Sequence, residues 1–134
     1  MTPVIFINCS KYPFIEQIIS GKKWYETRNS DTLGRFAGQR VLLAETGKHG
    51  VPIVKASAMI HTAITVTNPW IWESVFYRDL ACIPQGSKYG WQPDTKVKYC
   101  YYLSDVKRTF PFIPEGKRHG RVWMEYNEEW RYMK

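Results

Sequence analysis

Cysteine is scarce. Cys9, Cys82 and Cys100 are the three in 134 residues, widely spaced, odd in number and without a Cys-x-x-Cys pair. That argues against a disulfide framework and against a cysteine-based zinc site, and leaves small buried hydrophobes as their reading. His49, His61 and His119 are too scattered for a zinc spacing and no His-Glu-x-x-His is present, so no metal is expected. Neither a Walker loop nor a dinucleotide fingerprint appears, which disfavours a nucleotide-driven motor or a hydride-transfer enzyme, and no cofactor is expected. Long apolar runs are missing too: nowhere do ~18 apolar residues run together, and no basic region is followed by an apolar stretch of signal-peptide length. The expectation is a soluble, cytoplasmic protein with no membrane partner. Negative charge is in deficit, with 12 Asp and Glu against 19 Lys and Arg.

A surplus of seven positive charges with 16% aromatic residues suits polyanions, because cations hold phosphates while aromatic faces stack on bases. The same surplus also serves solubility alone. At this length the chain suits one domain, 1–134, with a single core that needs no cross-link.

The chain is organised around Gly21-Lys22-Lys23-Trp24-Tyr25-Glu26-Thr27-Arg28. Before it, Tyr12 to Ser20 puts Phe14, Ile15, Ile18 and Ile19 on one face at helical spacing, and Gly21 suits the left-handed residue that closes such a helix. After it comes a strand, in which Trp24, Glu26 and Arg28 share a side and Tyr25 and Thr27 take the other. A carboxylate two residues from a guanidinium on one face can orient it and leave its other donors for an anion or a base edge. The competing reading is a solvated edge strand with a surface ion pair worth ~0–1 kcal/mol.

Val4 to Asn8 reads as the first strand. Asn29 to Gln39 reads as a loop long enough to cover a site. Strands are expected at Arg40 to Thr46 and at Ile53 to Val66; along the second, Val54, Ala56, Ala58, Ile60, Ile64 and Val66 face the core, with a bend or bulge. Asn68-Pro69 opens a helix whose Trp72, Phe76, Leu80 and Ile83 line one side as packing, ended by Pro84. Gln85 to Thr95 is a loop offering Lys88, Tyr89 and Trp91. Lys96 to Phe110 and Arg121 to Tyr126 are the remaining strands, followed by an acidic, aromatic tail from Asn127 to Lys134.

Two loops, Gly47-Lys48-His49-Gly50 and Gly116-Lys117-Arg118-His119-Gly120, bracket basic residues with glycines. They read either as exposed turns or, if they meet Lys23 and Arg28 at one barrel mouth, as a phosphate-binding rim.

Gly21-x-Lys23-x-x-Glu26-x-Arg28 after a short helix resembles the signature of the ASCH domain, a branch of the PUA-like superfamily. The strands around Gly38-Gln39-Arg40 and at Ile53 to Val66 resemble the same barrel, as does Tyr101 to Val106, so the likeness covers most of the chain. It implies a mostly β, α+β fold: a small PUA-like pseudo-barrel with one helix after the first strand and a second near the middle. It implies RNA or a nucleotide-like small molecule as partner, with Lys22, Lys23, Trp24, Tyr25, Glu26, Arg28, Lys48, His49, Lys117 and Arg118 as the binding set. Some members of the family resemble small amidohydrolases acting on acylated cytidine, using the motif lysine with a threonine three residues on and a downstream carboxylate. Here the threonine position is Glu26, and Glu73 and Asp79 are candidates for the carboxylate, so Lys23 and Glu26 are the catalytic candidates if the protein is an enzyme. Ribonuclease activity is another family possibility. A third reading is a non-catalytic module docking a protein through Tyr89-Gly90-Trp91.

Overall fold

The computed structural model describes residues 2–74 and 76–127. Eight strands form one sheet, β1 (Thr2–Asn8), β2 (Tyr25–Arg28), β3 (Arg40–Thr46), β4 (Ile53–Ile60), β5 (Ile64–Val66), β6 (Lys98–Phe112), β7 (Gly116–His119) and β8 (Trp123–Tyr126). They run in the order β2-β6-β4-β3-β1-β8-β7, with β5 also on β6. The β1–β3 pair is parallel and the others are antiparallel. A parallel pair needs a crossover, and helix α1 (Phe14–Ile19) with β2 supplies it. Although β2 ends the sheet four places from β1, the Arg28 Nη2 donates to the Phe6 carbonyl at 2.9 Å. The sheet therefore curls until its end faces its middle. The result is the expected mostly β, α+β pseudo-barrel.

Apolar burial explains why α1 sits where it does. Phe14, Ile15 and Ile18 are buried in a core shared with Ile5, Ile7, Leu43, Trp72 and Tyr101, each worth roughly 1.5–3 kcal/mol in removed apolar surface. The helix stops at Gly21, whose φ of +84° a side chain would resist. There the Lys22 and Lys23 N–H groups both donate to the Gln17 carbonyl at 3.0 Å. That turn feeds the chain into β2 with Lys23 directed back under the helix.

Several expected elements take other forms. The single strand Ile53 to Val66 is two: after Ile60 the chain leaves β3, and β5 joins β6 instead. Ile64 is consequently 40% exposed rather than core. The helix after Pro69 is broken into α2 (Pro69–Ser74) and α3 (Tyr77–Leu80) by Phe76 at φ +70°. Trp72 and Ile83 are buried as packing, but Phe76 points out, 67% exposed. Gly116–His119 is not a loop but an edge strand on β8. The loop from Asn29 packs inward: its Leu33 and Phe36 are core, and the Tyr101 hydroxyl donates to Asp31 at 2.6 Å. β6 changes phase at Asp105, φ +47°. Of the acidic tail, residues 128–134 lie outside the described residues. Among the described residues no helix is long and apolar enough to cross a membrane.

Candidate functional site

A cleft of about 630 Å³ opens where the curled sheet brings β2 opposite β1. Lys23, Glu26 and Arg28 line it together with Phe6, Phe14, Tyr89, Lys48, Arg118 and Arg121. Among the described residues, five cations thus share it with one carboxylate, Glu26.

At its closed end Lys23 is 2% exposed. Its Nζ donates to the Ala81 carbonyl at 2.5 Å, lies 3.8 Å from Glu26 Oε1 and sits 4.4 Å from the centre of the Phe14 ring. Burial pushes the Lys23 pKa down from the ordinary lysine value, because the charged form is the one that loses water; the Glu26 carboxylate works against that shift. Glu26 is itself buried and takes a 2.9 Å hydrogen bond from Arg28 Nη2. Since the bond to the Phe6 carbonyl uses the same nitrogen, Arg28 is fixed at two points with Nε and Nη1 left for a ligand. A guanidinium held this way presents donors to a phosphate or a base edge without losing much further freedom.

Aromatic walls come from residues that the motif does not contain. Tyr89 packs edge-on against Phe14 at 5.7 Å and against Tyr12 at 6.0 Å. Lys98 holds the Tyr89 backbone there: this buried lysine donates to the Tyr89 carbonyl at 2.9 Å and to Asn29 Oδ1 at 2.8 Å, and burial lowers its pKa as well.

No protein-family model matches the chain, and no curated protein matches it significantly. Solved structures do. ASCH from Zymomonas mobilis superposes with a TM-score of 0.73 over 98% of this chain and 92% of that one, at 18% identity. A serine-to-alanine and a tyrosine-to-phenylalanine variant of the same protein each give 0.72, also at 18% identity, over 98% of this chain and over 93% and 95% of theirs. The fold is that of an ASCH domain. At such identity the likeness speaks for the fold.

Within this ASCH fold the structure gathers Lys23, Glu26, Arg28, Lys48 and Arg118 in one cleft and leaves other anticipated residues outside its lining. Trp24 donates its indole N–H to the Gly21 carbonyl at 3.0 Å and lies edge-on to Tyr102 on the outer surface. Tyr25 packs between Tyr77 and Tyr102. Both lie outside the cleft lining; Trp24, expected beside Glu26 and Arg28, precedes β2 and is turned away by its bond to Gly21, while Phe14 and Tyr89 line the cleft. Lys22 stays exposed. His49 turns to Glu45, 3.1 Å away. On β7, strand alternation sends Arg118 toward the Phe6 ring at 5.8 Å and Lys117 the other way. Glu73 pairs with Arg78 at 2.6 Å, and neither it nor Asp79 reaches the cleft. Tyr89 and Trp91 are half-buried and pack against the core.

Arg121 went unnoticed as a cleft residue. The signal was present, since it directly follows the basic run from Lys117 to Gly120. Cys9 and Cys100 are buried and Cys82 partly so; all three are free thiols, and burial pushes Cys100 up to about 12. Among the described residues no cluster suited to a metal ion occurs.

Proposed function

We propose that the protein binds RNA or a nucleotide-like ligand in this cleft. The observation that carries the reading is the gathering of Lys23, Arg28, Lys48, Arg118 and Arg121 in one cleft where, among the described residues, Glu26 is the one carboxylate. Arginine and lysine meet phosphate, Glu26 accepts from an exocyclic amine, and Phe14 and Tyr89 offer apolar walls to a base. The test is fluorescence anisotropy with a single-stranded RNA across a salt series, comparing the native protein with Lys23→Ala and Arg118→Ala. Weaker binding in both variants, with Lys117→Ala unchanged, supports the reading. Equal affinity in all four proteins at every salt concentration overturns it.

One observation favours a second reading, hydrolysis of an amide on a modified nucleoside. Lys23 is buried 3.8 Å from Glu26 at the closed end of the cleft, and burial lowers its pKa, which favours the unprotonated amine more than in a free lysine. In that role Lys23 takes a proton from water, the water oxygen adds to the acyl carbon, and the Arg28 N–H groups hold the developing oxyanion. Lys23 then returns the proton to the departing nitrogen, giving a carboxylic acid and a free amine. Chromatographic detection of cytidine released from N-acylated cytidine, lost in Lys23→Ala, is the expected result. An unchanged substrate after prolonged incubation rules the reaction out.

A further inference from the structure

The cleft has two unlike ends. Its closed end is made of buried groups, with Lys23, Glu26, Phe14 and Ile83 all under a tenth exposed. Its open end is made of exposed ones: Lys48 in the β3–β4 turn, Arg118 on β7 and Arg121 in the β7–β8 turn. These three cations come from two segments far apart in sequence, the β3–β4 turn and the β7–β8 hairpin, yet all border the same volume.

Their charge is only weakly offset, Lys48 alone lying near enough to Glu45 and Glu16 to act on them. Among the described residues none of the three makes an ion pair. The acids nearby are already engaged: Glu45 by His49 and Lys55 at 3.1 and 3.2 Å, Glu125 by His119 at 2.6 Å. Backbone shape adds to this. Gly50 and Gly120 also line the open end, at φ +74° and +64°, and a Cβ on either would meet nothing within 4 Å. Here the main chain borders open space, where its N–H groups can be approached by an anion.

Three cations at one end, none in an ion pair among the described residues, call for more negative charge than one phosphodiester carries, whereas a phosphomonoester brings about −1.5 to −2 at neutral pH. The volume, about 630 Å³, lies within the range of clefts that enclose one small ligand, roughly 300–1,000 Å³. Building on the nucleotide-binding reading, we infer that the complete ligand is a single nucleoside monophosphate, its phosphate held by Lys48, Arg118 and Arg121 and its base at the Lys23–Glu26 end. The phosphate is a required part of the ligand, and a polymer is not.

Titration calorimetry with the four ribonucleosides and their 5′-monophosphates, alongside a single-stranded RNA, tests this. At least one monophosphate is expected to bind roughly tenfold or more tightly than its nucleoside, the worth of one charge-assisted hydrogen bond. In Arg118→Gln and Lys48→Gln, both surface substitutions whose folding circular dichroism checks, that ratio falls toward one. In Lys117→Gln, outside the cleft, it stays. Equal binding of nucleoside and monophosphate overturns the inference and leaves the nucleotide-binding reading standing, as does binding of RNA without any mononucleotide. Binding of none of them overturns both.

Discussion

Lys23 exchanges water for one carbonyl, a carboxylate 3.8 Å away and the face of Phe14. Such an exchange seldom repays the desolvation of an ammonium in full. Because its folded-state pKa lies below the ordinary value of 10.5, there is a window, from that lowered value up to 10.5, in which the unfolded chain binds more protons than the folded one. Stability must rise with pH across the window. Lys98, lowered for the same reason, contributes with the same sign. Lys23→Met is therefore expected to be more stable than the native protein at neutral pH by about 1 kcal/mol, because Arg28 still pairs with Glu26 at 2.9 Å and no carboxylate is stranded. The gain should shrink as pH approaches 10.5, and ligand binding should be lost throughout. Urea denaturation at neutral and alkaline pH measures this, and a destabilised variant at neutral pH would contradict it. Glu26→Gln acts in the opposite sense on the same amine: it removes the charge that raises the Lys23 pKa, so an NMR titration should find the lysine pKa lower still.

Two elements are held by single backbone positions. Phe76 joins α2 to α3 in the left-handed region with its ring 67% exposed, so little packing is lost in Phe76→Gly and the steric penalty disappears. A gain of about 1 kcal/mol in unfolding free energy is expected, read from the urea midpoint at unchanged slope. Gly116 has the converse role. A Cβ there would lie 1.7 Å from the Glu125 carbonyl oxygen on the neighbouring strand, and β7 is paired with β8 alone. Gly116→Ala should cost roughly 1–3 kcal/mol and, by shifting Arg118, weaken ligand binding beyond what the stability loss predicts. Hydrogen exchange confined to β7 and β8 would mark the damage. The same two places escaped the sequence reading. α1 and β4 were legible because apolar residues repeat with the period of the element, and Gly21 marked where α1 had to stop. β7 is Gly-Lys-Arg-His on an edge, with no buried face to impose alternation. Around Phe76 the apolar spacing is helical, and nothing in that spacing records a backbone that turns left-handed.

Across the whole molecule, Lys23, Glu26 and Arg28 were legible as a site because they fall within six residues, so strand and turn geometry alone decide that they meet. Lys48, Arg118 and Arg121 arrive by tertiary routes. Parallel pairing of β1 with β3 sets the Gly47 turn beside Asn8, where a Cβ on Gly47 would lie 2.7 Å from Asn8 Oδ1, and β7 follows β8 to the same mouth. Sequence offered the two basic loops but not their meeting point, nor that Trp24, expected beside Glu26 and Arg28, would lie outside the cleft. This matters for how charge is used. The chain carries 19 Lys and Arg against 12 Asp and Glu, and a diffuse surplus of that kind would attract RNA to any face. Diffuse attraction and cleft binding differ in how the salt dependence responds to substitution. If phosphate is met in the cleft, Arg118→Gln and Lys48→Gln should each reduce the slope of log K against log salt by about 0.7, one released counterion's share for a single strand. Lys117→Gln and Lys22→Gln, exposed cations outside the cleft lining, should leave it unchanged. Four equal, small reductions would mean that RNA is held by the net charge of the surface rather than by the cleft.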